Sequence, residues 1–262
     1  MGTSPSSSGP ADASEARHAR AAVVFAGGDP PPAHTLDPLG AADLAGSILV
    51  VAADSGVEHA LAAGVHVDLL VGDLDSARPG HVLEAIAAGT EVVRHPEEKD
   101  ATDLELALDA VAERGADDVL VVGIHGGRAD HLLANALLLA SPRYAALRVR
   151  GHLGDADVVV VRDHATLPGP PGRLCTLLPV GGPAEGVVTT GLRYPLADET
   201  LEPGSTRGVS NVVVDESATV TVRAGVLLAV LPDLLPEAPP DTPSGDPLPG
   251  DAVPDAPLSE ES

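Results

Sequence analysis

The chain of 262 residues contains no tryptophan, one phenylalanine and two tyrosines. Its interior must therefore be built from aliphatic side chains, and few groups can stack against a planar ligand. Cysteine occurs once, at Cys175, so no disulfide can form within these residues; that fits a reducing compartment, and the cytoplasm is the expected location. Positive charge is scarce: 15 Lys and Arg stand against 39 Asp and Glu, for a net charge of −24. This balance argues against a nucleic-acid partner, whose phosphates need a basic surface, and against a polybasic membrane contact. No apolar run approaches the length of a membrane span, and the leading residues lack the hydrophobic segment of a signal peptide. Lysine occurs once, at Lys99.

Four segments follow from composition. Residues 1–20 read as a disordered leader, and 233–262, with eight acidic and no basic residues, as a disordered acidic tail. From 21 to 165 apolar strands alternate with helical stretches, the pattern of a mainly parallel sheet with helices on both faces. Leu104, Ala107, Leu108 and Val111 repeat at helical spacing. Leu132–Ala140 is apolar almost all round and predicts a helix packed on both sides. After the Pro/Gly run 168–172 the helical signal stops. Short strand candidates with period-two alternation then fill 172–232 and predict a small all-β sandwich. The expected fold class is thus an α/β domain followed by a β-sandwich.

The acidic residues cluster where strands pass into helices. Gly72-Asp73-Leu74-Asp75-Ser76 places two carboxylates beyond a buried strand, on one face of an extended chain. They suit a metal; Asp75 or Ser76 equally suits the cap of a helix starting near Pro79. In Lys99-Asp100-Ala101-Thr102-Asp103, Thr102 and Glu105 have capping-box spacing, and an acid in the first turn needs no further reason. That accounts for Asp103 but leaves Lys99 and Asp100 unexplained. In Gly126-Gly127-Arg128-Ala129-Asp130-His131 the paired glycines can turn backbone N–H groups toward an anion, and Arg128 can grip a phosphate. Asp130 suits a cap, a metal or an amine. Asp54, in Ala53-Asp54-Ser55-Gly56, is a helix cap or a ribose or phosphate contact. Gly27-Gly28-Asp29 is a weak glycine turn, and Ser205–Asn211 reads as a loop.

Taken in this order, over 21–231, these segments resemble the thiamine pyrophosphokinase (thiamine diphosphokinase) family. The matching pieces are Ala53–Gly56, Gly72–Ser76, Asp100–Asp103, Gly126–His131 and Ser210-Asn211. The resemblance implies transfer of the pyrophosphoryl group of ATP to thiamine, giving thiamine diphosphate and AMP, with Mg²⁺. It implies a homodimer with the active site near the subunit interface. It assigns Asp73, Asp75 and Asp103 to the metal, with Asp54, Lys99, Gly126, Gly127 and Arg128 around ATP, and Ser210 and Asn211 on thiamine. Asp100 or Asp130 is left as the acceptor of the hydroxyl proton. Some relatives place a tryptophan near thiamine; here 226–231 is purely aliphatic, and aliphatic packing is expected to replace it. The alternatives are a pyrophosphokinase for another alcohol such as a hydroxymethylpterin, a magnesium-dependent phosphohydrolase, or a non-catalytic sensor.

Overall fold

The computed structural model describes residues 21–32, 35–36 and 48–233. The expected leader, and the expected tail beyond Asp233, lie outside the described residues. Within them the first half runs β1 (Ala21–Phe25), β2 (Leu49–Ala53), α1 (Gly56–Ala62), β3 (Leu69–Gly72), α2 (Pro79–Ala87), β4 (Glu91–Arg94), α3 (Asp103–Glu113), β5 (Asp118–Val122), α4 (Ala129–Leu139) and β6 (Arg148–Leu153). The second half is β7 (Ala156–Val161), β8 (His164–Thr166), β9 (Leu174–Pro179), β10 (Ala184–Thr190), β11 (Glu199–Leu201), β12 (Asn211–Val212), β13 (Thr219–Thr221) and β14 (Leu227–Pro232).

One ten-stranded sheet, in the order β12-β9-β14-β7-β6-β5-β1-β2-β3-β4, runs through both halves. Strands β6 to β4 in that order are parallel; β6–β7 is an antiparallel hairpin, and from there to β12 every pairing is antiparallel. A second sheet, β11-β10-β13-β8, covers the antiparallel end. The sandwich therefore borrows one of its two layers from the large sheet. Strands β8 and β11, three residues each, carry too little pattern to be read from sequence.

Period-two alternation sorts β1 onto two cores. Ala22 and Val24 pack with Leu104, Ala107, Leu108 and Val111 of α3, while Val23 and Phe25 face Val57, Ala60, Val82 and Ala85 of α1 and α2. Full burial of each such Val or Leu is worth about 1.5–3 kcal/mol. A third core joins Val161, Cys175, Leu177 and Leu227 of the large sheet to Val187 and Val220 of the small one. Burial pushes the Cys175 thiol up to about 12.

Helix α4 departs from expectation. Only its end, Leu139, is buried, and Leu133 and Leu137 are 64% and 57% exposed. It lies over the sheet by its C-terminal turn, with no second layer above it among the described residues, so the all-round apolar pattern does not here mark a sandwiched helix.

The antiparallel end is pinned by Arg173, which is buried. Its guanidinium donates to the carbonyls of Leu231 (2.7 Å) and Pro232 (3.1 Å) and to the carboxylates of Asp157 (2.8 Å) and Asp233 (2.5 Å). His152 Nδ1 lies 3.1 Å from the other Asp157 oxygen. Burial alone would raise Asp157, but the His152 and Arg173 hydrogen bonds outweigh it and hold the carboxyl below its ordinary 3.8.

Candidate active site

Strand order reverses between the parallel neighbours β1 and β5: β2, β3 and β4 are laid down on one side, β6 on the other. Ligands of open α/β sheets bind beyond the carboxyl ends of the strands at such a switch point. A cleft of about 300 Å³ opens there, lined by Gly27 and Gly28 after β1, Asp54 after β2, Asp103 at the start of α3, and Gly126 and Arg128 after β5.

Backbone contacts hold its floor. Gly28 N–H donates to the Gly123 carbonyl (2.8 Å), and Asp29 N–H to that of His125 (2.5 Å). A Cβ on Gly28 would sit 2.0 Å from the His125 carbonyl oxygen, so only glycine fits. His125 Nδ1 is 3.2 Å from Asp29 Oδ2. The weak glycine turn after β1 is thus part of the cleft; its sequence alone gave little sign of the partner loop.

The carboxylates converge from three turns. Asp54, Asp73 and Asp103 each offer an oxygen within 4.8 Å of the others. Asp54 is 8% exposed, adopts the left-handed φ of 48°, and its Oδ1 is buried with no hydrogen-bond partner. Burial raises its pKa, and the charges of Asp103, Asp73 and Asp75 add to this against the Ser55 backbone N–H. A left-handed non-glycine residue is costly, and such strain gathers at functional sites. Gly72, at φ 144°, makes the convergence possible: a Cβ there would come within 3.0 Å of Asp103 Oδ1 and 3.3 Å of Asp54 Cβ.

Lys99 completes the cluster. Its ammonium donates to Asp73 Oδ2 (2.5 Å) and is ion-paired to Asp103 Oδ1 (3.1 Å). The Lys99 hydrogen bond lowers the Asp73 pKa. Burial pulls Lys99 down, but the two carboxylates outweigh it and raise its pKa.

Capping explains less of this than the sequence allowed. Helix α2 has Arg78 at its N-cap and Pro79 behind it, so neither Asp75 nor Ser76 caps it. Ser55 occupies the N-cap of α1 without a side-chain cap bond. Thr102 does cap α3, accepting from Glu105 N–H at 3.2 Å, and leaves Asp103 in the first turn facing the cluster.

The expected site residues divide into five groups. Asp54, Asp73, Asp103 and Lys99 are together. Asp75 lines the cleft but stands outside the three-carboxylate cluster, its Oδ1 accepting from Ser76 (2.9 Å). The three-carboxylate cluster thus holds Asp54 where the sequence reading set Asp75 beside Asp73 and Asp103. Short-range spacing favoured Asp75, whereas the parallel register of β2 and β3 brings Asp54 across. Gly126 and Arg128 line the cleft, with Gly127 between them. Arg128 is bound to Asp130 by Nε (3.2 Å) and Nη2 (2.5 Å), both side chains being exposed. That bond holds Asp130 down at about 2. Asp100 is exposed and touches neither cluster nor cleft.

Ser210 and Asn211 are elsewhere. Asn211 opens β12, the outermost strand at the far end of the large sheet, and Ser210 ends the turn before it. Seven strand-to-strand steps separate it from β2, roughly 30 Å at the usual spacing.

Fold and site together define an α/β protein whose switch-point cleft gathers carboxylates that could hold a hard cation and glycine turns open to a phosphate chain. Known proteins narrow this. Residues 43–150 match the family model "Thiamin pyrophosphokinase, catalytic domain", and 162–227 match "Thiamin pyrophosphokinase, vitamin B1 binding domain". The chain belongs to the thiamine pyrophosphokinase family. It is 29% identical to the thiamine pyrophosphokinase of Bacillus subtilis over 192 residues, 70% of this chain and 86% of the relative. Thiamine pyrophosphokinase 1 of Oryza sativa is also 29% identical, over 59% of this chain and 62% of the rice protein, so the chain spans about three fifths of that relative. The crystal structure of the Bacillus subtilis enzyme superposes with a TM-score of 0.70 at 26% identity, covering 82% of this chain and all of that one. The Candida albicans structure, at 14% identity and TM-score 0.62, shares the fold.

Proposed function

We propose that this protein is a thiamine diphosphokinase, an ATP:thiamine diphosphotransferase that releases AMP. Family membership of both halves supports the reaction, and one observation carries the site: three carboxylates and the only lysine meet at the switch-point cleft. The buried, unpartnered Asp54 Oδ1 suits a hard cation such as Mg²⁺, which takes carboxylate oxygens. Asp54, Asp73 and Asp103 would hold it, with Asp75 at the rim. When bound, the ion supplies positive charge to the phosphate chain.

The remaining tasks fall to the chain. Phosphoryl-type transfer asks a protein mainly for positioning and charge compensation. The Gly27-Gly28 and Gly126-Gly127 turns leave room for phosphate oxygens against backbone. Arg128, released from Asp130, and Lys99 offset negative charge as the bridge oxygen leaves with AMP. The hydroxyethyl oxygen of thiamine attacks the β-phosphorus in line; the new bond forms to that phosphorus as its bond to the α-phosphate bridge oxygen breaks. Asp130, between the lining residues Arg128 and His131, and Asp100, next to Lys99, both flank the cleft, and the hydroxyl proton goes to one of these two.

The separation of β12 from β2 supports a homodimer. If Ser210 and its neighbours receive thiamine, they serve the cleft of a second copy, because about 30 Å exceeds the span of one thiamine between them and their own cleft. The deciding assay measures AMP and thiamine diphosphate after mixing protein, ATP, Mg²⁺ and thiamine; equimolar products are expected, and ATP loss without thiamine diphosphate defeats the reading. Mixing Asp73→Asn with Ser210→Ala, each inactive, should restore about a quarter of wild-type activity through exchanged dimers. No recovery after subunit exchange would place both groups in one subunit.

A further inference from the structure

Asn211 is buried, and its carboxamide is occupied. Oδ1 accepts from the backbone N–H of Tyr194 (3.0 Å) and of Val212 (2.9 Å), while Nδ2 donates to the Tyr194 carbonyl (2.7 Å). Both backbone groups of one residue are therefore held by a single side chain 17 positions away. The surroundings stiffen the grip: Arg193 N–H donates to the Val212 carbonyl (2.9 Å), and Leu192 bridges to Val213.

The residue so held is unlike the other aromatics. Phe25 and Tyr144 are 0% and 1% exposed, and the Tyr144 hydroxyl is spent on Glu105 and Asp109. Tyr194 is 57% exposed, and its phenol makes no hydrogen bond among the described residues. It is the one aromatic face in the described chain that a ligand can reach. Next to Asn211, Ser210 is fixed in the left-handed region at φ 59°, its N–H donating to Thr176 Oγ1 (3.2 Å), and the residue is exposed.

We infer that Asn211 is a positioning residue and that thiamine meets the ring of Tyr194. The inference rests on the thiamine reading above. Thiamine carries a flat pyrimidine and a cationic thiazolium, and a cation over a tyrosine face is attracted by the ring quadrupole. The ring rather than the carboxamide is what the β-rich half offers the vitamin, and the exposed Ser210, next to Asn211, is there for a polar edge. An aromatic surface thus remains in this chain, outside the aliphatic stretch 226–231.

The absence of tryptophan supplies the test. Tyr194→Trp introduces a lone indole whose emission reports its contacts. Titrated with thiamine alone, the full-length variant should be quenched saturably, and adding Asn211→Ala should weaken the apparent affinity about tenfold. In turnover, Tyr194→Ala should raise KM for thiamine about tenfold with KM for ATP and kcat nearly unchanged, and Tyr194→Phe should restore it. Unquenched emission, or an unchanged thiamine KM in Tyr194→Ala, overturns the inference. Quenching by thiamine in a protein that makes no thiamine diphosphate would sink the enzymatic reading alone, so the two failures are distinguishable.

Discussion

At the β1–β5 end of the large sheet, parallel strands stop at glycine turns and point carboxylates into a cleft; at the β9–β14 end, antiparallel strands continue into hairpins, and the buried Arg173 is bound by two carboxylates. The difference lies in what is left unpaired. Asp54 keeps a buried oxygen without a partner, whereas Arg173 distributes its donors over two carboxylates and three carbonyls. Unsatisfied polarity costs stability, and a protein keeps it where a ligand will complete it. The parallel end is therefore built for chemistry and the antiparallel end for rigidity.

The largest effect should come from Asp73→Asn, which removes a cluster carboxylate without touching a core. Product formation is expected to fall at least about 100-fold with an unchanged melting curve. Near wild-type turnover would show that the parallel end is not the reacting one. Arg173→Leu should do the opposite. It removes the buried guanidinium shared by Asp157 and Asp233 and should lower unfolding free energy by about 3 kcal/mol in urea titration, with kcat per folded molecule unchanged. A drop in kcat would mean that the two ends are coupled.

Gly72→Ala sharpens the comparison within the active end. Strain at φ 144° and a 3.0 Å approach to Asp103 should cost about 2 kcal/mol and spread the carboxylates, lowering activity. Gly64→Ala, at φ 70° in open space, should lose stability and no activity. The smallest effect concerns pH. Because the folded Asp157 pKa lies below 3.8, the stability it contributes is present above that value and lost as pH falls through the folded one. Asp157→Asn should flatten this acid limb in melts recorded below pH 4.

Much of the site was readable because its pieces are local. Each acidic motif sits on a strand-to-helix turn, and strand and helix periodicity locate those turns. Lys99 stood out as the only lysine. What escaped was pairing at a distance. Nothing near Asp54 says that it, rather than Asp75, joins Asp73; the register of β2 against β3 decides that. The solvent-facing Leu133 and Leu137 were misread for the same reason, since apolar composition cannot tell a helix covered twice from one covered once.

By itself the sequence determined the elements, the two cores of the α/β half and the acidic turns, because backbone periodicity and side-chain chemistry are local properties. Only the tertiary structure decided that one sheet runs through both halves, that Asn211 is spent on Tyr194, and that the Ser210 corner lies at the outermost strand, five strand steps from β5 and seven from β2. Those outcomes depend on strand order, and strand order is fixed by which faces can be buried together, a sum over the whole chain that no single segment records.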